Sequence, residues 1–264
     1  GANAYNVAVG YVAGENVSTG VRNTLIGAHA GDNITSGNYN IAIGYGALST
    51  EDAHGQNVAV GTWALTSQNA GANAYNTAIG YYAGANVTTG TGNTIVGGEA
   101  GDALTDGSTN TLIGYDAGGL LTSGGSNTVV GAYALKTEDG NGGNVAIGYS
   151  ALEAQNAGAE VYNVAVGFKA GEAVTTGSSN TIIGGLAGDA LTAGGGNVAV
   201  GTQALSAEDD HSYNTAVGAR ALEALNAGAH GYNVAVGYVA GTAMSTGINN
   251  TLIGSKAGDA LTTG

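Results

Sequence analysis

The sequence predicts an all-β fold, a parallel β-solenoid of about 15 coils, and three observations carry that expectation. First, the chain writes Asn, three apolar or Thr residues and Gly fifteen times over. Second, the asparagines (Asn6, Asn23, Asn40, Asn57, Asn76, Asn93, Asn110, Asn127, Asn144, Asn163, Asn180, Asn197, Asn214, Asn233 and Asn250) fall 17 residues apart, with three gaps of 19. A fixed period along the whole chain marks stacked units that cannot bury their apolar faces alone. Third, the 50 glycines recur in phase with that period and there is no proline, so glycine marks turns here and not disorder.

Numbering each coil from its Asn, the first position is expected to start the strand. It would satisfy turn backbone groups and stack on the Asn of the next coil as an amide ladder. Position 2 is Val, Ile or Thr, position 3 is Ala, Leu, Ile or Val, and position 4 is always Val or Ile. Alternate residues of a strand face opposite sides, so positions 2 and 4 share one face and position 3 takes the other. Both faces are therefore apolar, as in a strand covered on both sides. A lone solenoid has one interior, and the second apolar face predicts side-by-side assembly of chains. Position 5 is Gly and position 8 is Ala in every coil.

The remainder of the coil comes in two kinds. Nine coils read Ala-Gly at positions 8 and 9, with an aliphatic residue or Met at position 12, as at Val17 and Leu104. Six read Ala-Leu, at Leu48, Leu65, Leu135, Leu152, Leu205 and Leu222, and carry Glu51, Gln68, Glu138, Gln155, Glu208 and Leu225 at position 12. The reciprocity predicts one core slot, filled from position 12 in the first kind and from position 9 in the second. On that reading Gly101→Leu overfills a slot held by Leu104. The acidic pairs Glu51-Asp52, Glu138-Asp139 and Glu208-Asp209 are then read as solvated turns, with weak cation binding as the alternative, and Asp32, Asp102, Asp189 and Asp259 as turn caps.

Composition narrows the function. With 19 acidic and 5 basic residues the chain carries a net charge of -14, which repels a phosphate backbone. No nucleic-acid partner is expected. No apolar run approaches the ~20 residues that span a bilayer, so no membrane insertion by this segment is expected. There is no cysteine, hence no disulfide and no thiolate site. The opening Gly1–Tyr5 repeats Gly71–Tyr75 letter for letter, so residues 1–264 are read as a single repeat domain excerpted from a longer fibre. About 4.8 Å per stacked coil would make that domain roughly 70 Å long.

A functional site in a repeat protein is sought where the repeat breaks, and position 7 breaks it throughout. It lies one residue before the invariant Ala and is expected to face solvent. From this column Trp63, Tyr82, Tyr133, Lys169 and Arg220 are the candidate binding residues, since aromatic and Arg anchors dominate recognition surfaces. The four histidines, His29, His54, His211 and His230, are read as scattered over the coil with no metal-ligand spacing. No catalytic residue, cofactor or metal site is expected. Threonine at position 2 occurs in eight coils and is interrupted by Val or Ile in seven, so no unbroken Thr file for ice binding is expected.

The stretches Asn40-Ile-Ala-Ile-Gly44 and Asn144-Val-Ala-Ile-Gly148 resemble the Yersinia-adhesin type head repeats of trimeric autotransporter adhesins. Asn214–Leu222 and Asn57–Leu65 are similar to repeats of bacteriophage tail fibres. The resemblance covers all fifteen coils, although the adhesin head coil is shorter. It implies a left-handed β-roll, three chains around one axis, and a non-enzymatic structural or adhesive role. The setting implied is extracellular, on a bacterial cell surface or a virion, with a cell-surface receptor or glycan as partner. A self-polymerising filament subunit is the alternative.

Overall fold

Every coil places positions 2–4 in a three-residue strand, and successive strands pair in parallel. A computed structural model describes residues 4–228 and 230–264, and among these there is no helix. Two units divide the chain, Gly1–Asn127 and Thr128–Gly264. The first stacks seven strands, β1 (Val7–Val9) to β7 (Thr111–Ile113). The second stacks eight, β8 (Thr128–Val130) to β15 (Thr251–Ile253). Within each unit equal coil positions face one another: Val7 opposes Thr24, Ala8 opposes Leu25, and Val164 opposes Thr181.

The ladder runs far beyond the strands. Position 2 donates its N–H to the next coil's Asn carbonyl, as Thr94 does to Asn110 at 2.8 Å. Positions 5 and 7 donate backwards, Gly97 to Ile79 and Glu99 to Tyr81, both at 2.8 Å. Position 9 donates forwards in both kinds of coil, Gly101 to Ala117 and Leu48 to Ala64, each at 3.0 Å. Backbone polar groups are thus consumed between coils, which lets a chain with so few strand residues bury its interior.

The invariant asparagine fastens two coils at once. Its Nδ2 donates to the position-15 carbonyl of its own coil, closing the ring, as Asn110 does to Gly124 at 2.9 Å. Its Oδ1 accepts the backbone N–H of the next coil's Asn, as Asn110 does from Asn127 at 2.9 Å. The expected ladder exists, but it runs from side-chain amide to backbone, with amide-to-amide bonds added where Asn233 and Asn250 donate Nδ2 to the preceding Asn Oδ1 at 3.2 and 3.1 Å. Asparagines 23 to 233 of the series are buried. Two coils lengthened to 19 residues, those of Asn57 and Asn214, displace the closing carbonyl and leave Nδ2 without a partner.

Glycine at position 5 is dictated by close approach. A Cβ on Gly97, at φ +142, would meet the carbonyl oxygen of Gly114 at 2.2 Å. Positions 0, 7 and 9 also take positive φ, and here non-glycine residues occupy it: Tyr162 at 51, Trp63 at 61 and Leu65 at 48. Such a conformation is uncommon outside glycine and is held in place by the intercoil hydrogen bonds on either side.

The interior is filled by positions 3, 8, 9 and 12. Position 3 points inward (Leu25, Ala42, Ile95 and Leu112 are buried), which leaves positions 2 and 4 on the outer face at partial exposure. The one-slot expectation is corrected in two respects. Position 12 stays inside in both kinds of coil, for Glu51, Gln68, Glu138, Gln155 and Glu208 are all 0% exposed. The volume that a position-9 Leu fills is shared with position 12, as expected, since a Cβ on Gly31 or Gly188 would meet Ile34 Cδ1 or Leu191 Cδ1 at 2.8 Å, but it is shared with position 3 as well. A Cβ on Gly101 would meet Leu112 Cδ1 at 2.6 Å, and Leu104 is not among its nearest contacts. The six Leu coils accordingly have a small position 3: Ala42, Ala59, Ala146, Ala199 and Ala216, with Val129 the sixth. Where a Gly coil also has Ala at position 3, neighbours on both sides fill the gap, since Gly84 faces Ile95 Cδ1 at 2.8 Å and Leu65 Cδ2 at 3.1 Å.

Two outcomes follow from this packing. Gly118→Leu, 3.1 Å from Leu112 Cδ2, should destabilise by about 1–3 kcal/mol through overpacking, and adding Leu112→Ala should restore most of the loss. Urea titration of the three proteins measures this, and a double variant no better than the single one refutes shared volume. Asn110→Ala orphans the Asn127 N–H and the Gly124 carbonyl, whereas Asn57→Ala orphans only the Asn76 N–H. The same titration should find the first substitution costlier by about 1–2 kcal/mol.

Candidate functional site

Side chains of position 7 leave the coil at a left-handed residue, which turns them back along the surface toward their neighbours. Their expected full exposure is therefore corrected: Trp63, Tyr82, Tyr133 and Lys169 are half-buried, and only Arg220 of the five is exposed. What covers them is position 6 of the same coil, as at Tyr82 and Lys169, or of a neighbouring one, as at Trp63 and Tyr133. Tyr11, His29, Tyr45 and Trp63 form a zigzag of edge-on rings alternating between positions 6 and 7, with centroids 5.7, 5.7 and 4.9 Å apart. Tyr82 lies edge-on to Tyr81 of its own coil at 4.5 Å. In the second unit Tyr133 lies edge-on to Tyr149 at 5.8 Å, and Phe168 stacks on Tyr149 at 5.6 Å.

Two of the position-7 cations, Lys169 and Arg220, are engaged within their own coils. Lys169 Nζ lies 2.9 Å from Glu172 Oε1, and Arg220 Nε donates to Glu223 Oε2 at 2.7 Å. His29 Nδ1 stands 3.0 Å from Asp32 Oδ2. The carboxyl of Asp102 is held above its ordinary range by burial, reinforced by the column acids Asp116 and Glu99. The five candidates thus do not converge on one spot, and each joins a local cluster.

One cluster is concave. His29, Asp32, Asn33, Tyr45, Ser49 and Trp63 line an open cleft of ≈ 240 Å³ in the first unit. Gly46 creates it. It is the one glycine of the position-7 column, and a Cβ there would meet Trp63 Cε3 at 2.4 Å, so its absence lets the indole lie down over the preceding coil. The walls then offer two aromatic faces, a carboxylate, an amide and a hydroxyl. Sequence reasoning placed Trp63 but missed position 6, where Tyr11, Tyr45, Tyr81, Tyr115, Tyr149, Phe168 and Tyr238 stand exposed. The recurring Gly-Tyr pair after the strand was the available signal.

The acidic turns are also corrected. Glu51, Glu138 and Glu208 are fully buried, while Asp52 and Asp139 are exposed and Asp209 is partly so. Position 12 points inward whatever residue it carries, and burial pushes the Glu51 and Glu208 carboxyls upward from their usual range. His54 and His211 are not scattered: both occupy position 15, three residues after the buried Glu. Of the aspartates expected to cap turns, Asp32 pairs with His29 of its own coil, and Asp32 Oδ1 and Asp189 Oδ1 are buried without a hydrogen-bond partner.

No family model, curated protein or solved structure matches the chain.

Proposed function

We propose that this chain is a non-enzymatic structural and adhesive segment of an extracellular fibre, of the bacterial-surface or phage tail-fibre kind, with saccharide recognition at the Trp63 cleft. The observation that carries the reading is that cleft. The Tyr45 and Trp63 rings, set edge-on to each other beside Asp32, Asn33 and Ser49, match a sugar, whose C–H face packs on an aromatic ring while its hydroxyls seek polar partners. The repetition of the remaining coils suits a spacer that displays such a site. Among the described residues no helix is long and apolar enough to cross a membrane.

Self-assembly belongs to the same reading. Position 4 is Val or Ile in all fifteen coils, and it shares the outer strand face with Val, Ile or Thr at position 2. Ile26, Ile41, Ile79 and Ile183 are 37–42% exposed there. The occupant we assign is a second and third copy of this chain, because an identical period lets the same rows meet in register. An ice-binding surface is disfavoured by the Val and Ile that interrupt the outward Thr file. The position-13 hydroxyls are spent on intercoil bonds, such as Thr105 Oγ1 to the Thr122 carbonyl at 3.1 Å.

Trp63 is the only tryptophan, so its fluorescence reports the cleft directly. Titration with a panel of mono- and oligosaccharides should shift or quench that emission saturably for at least one sugar, and Gly46→Ala should weaken the response several-fold. Silence across the panel would remove the recognition reading. Light scattering should give three times the 25.4 kDa chain mass, with Ile113→Asp abolishing assembly. A stable monomer at all concentrations would remove the trimer, and growing fibres would select the filament alternative.

A further inference from the structure

In three coils, the first of each Leu pair, the inward position 12 is a buried Glu, and the three are treated differently by their surroundings. At Glu138 the carboxylate is fully served. Asn141, at position 15, donates its backbone N–H and its Nδ2 to Oε1 at 3.1 and 2.8 Å, and Gln155 Nε2 of the next coil donates to Oε2 at 3.0 Å. At Glu51 and Glu208 the position-15 residue is His in place of Asn, and the donor from the next coil is gone. Gln68 spends its Nε2 on the Thr88 carbonyl at 3.0 Å, and Leu225 has no donor to give. Both Glu51 Oε2 and Glu208 Oε2 are buried without a hydrogen-bond partner, and so is His54 Nδ1.

A buried carboxylate oxygen without a partner is costly, and a proton donor or a cation must offset it. The chemistry of the neighbours selects the cation. His54 Nδ1 lies 3.6 Å from Glu51 Oε1, and His211 Nδ1 lies 2.6 Å from Glu208 Oε1 and 3.7 Å from Asp209 Oδ1. The separations of 3.6 and 3.7 Å are those of two ligands around a metal with bonds of about 2.0–2.2 Å, whereas the 2.6 Å pair of His211 and Glu208 is a hydrogen bond that an ion would replace by parting the two atoms. In each trio, Glu51-Asp52-His54 and Glu208-Asp209-His211, one ligand atom from every member lies within 4.8 Å of the others. The histidine side chains are 27% and 16% exposed, so the trios open to solvent at that rim and an ion has a way in.

We propose that these two trios are divalent transition-metal sites. Each binds one ion through a buried Glu, a rim Asp and the Nδ1 of His, with water completing the shell. An imidazole among carboxylates selects Zn²⁺, Co²⁺ or Ni²⁺ over Ca²⁺ and Mg²⁺, which take oxygen ligands. The ion is structural. The carbonyls of His54 and His211 are the acceptors that close their coils, receiving Asn40 Nδ2 at 3.1 Å and Asn197 Nδ2 at 2.9 Å. Holding the His ring therefore also pins the coil closure, and the third coil of the set achieves this with Asn141 and no metal.

Titration of chelator-treated protein with Co²⁺ tests the assignment. Visible absorption should saturate at two ions per chain, His54→Asn should leave one, and His54→Asn with His211→Asn should leave none while circular dichroism stays unchanged. Asn is the residue that the third coil already carries at this position, so folding is expected to survive. Zn²⁺ should raise the urea midpoint of the parent protein and leave that of the double variant in place. A parent protein that retains no Co²⁺, a double variant that binds as many ions as the parent, or Ca²⁺ binding with Co²⁺ excluded would each overturn the proposal.

Discussion

The bond from each Asn backbone N–H to the Oδ1 of the Asn one coil earlier is the constraint from which the rest of each stack follows. Distances of 2.8–3.2 Å along both units fix the coil spacing and the register together. Once register is fixed, position 5 lies against position 5, and only glycine fits there. Position 3 then faces inward, so a residue too large in one coil must be answered by a small one beside it. The volume exchange among positions 3 and 9 is a consequence of that locked register, because a side chain cannot slip to another level to find room.

Much of this was legible before the structure. The period, the strand at positions 2–4 and the buried Ala of position 8 follow from the spacing of asparagines and glycines. The direction of the strand was not legible, because apolar residues occupy both of its faces and alternation alone does not say which is the interior. The share of position 3 in the slot of position 9 was missed for a backbone reason. Positive φ at Leu48 or Leu65 turns the side chain toward position 3, and sequence spacing carries no information on that rotation. The same left-handed turn at position 7 lays Trp63 and Tyr82 along the surface instead of out into water.

The buried glutamates illustrate another limit. A charged residue replacing an aliphatic one reads as a turn moved into solvent, and the structure shows the opposite, the carboxyl group inside the coil. Such a substitution survives only with local compensation, and at Glu138 the compensation is visible in Asn141 and Gln155. Counting from the Asn would have shown that His54 and His211 share a position. The polar interior is therefore as periodic as the apolar one, with a repeat set by the longer module of paired Leu coils.

Every Asn in the series reaches in one direction only: its Oδ1 waits for the coil that follows in sequence. In the asparagine row the two ends of such a stack are chemically unlike, one presenting a bare amide oxygen and the other a bare backbone N–H. During synthesis a finished coil already displays the amide oxygen that the next coil needs, so the chain carries a template that advances with the ribosome. Folding of each unit acquires a vector from N to C, in which a coil costs little to add behind its predecessor and has nothing to dock on ahead of it.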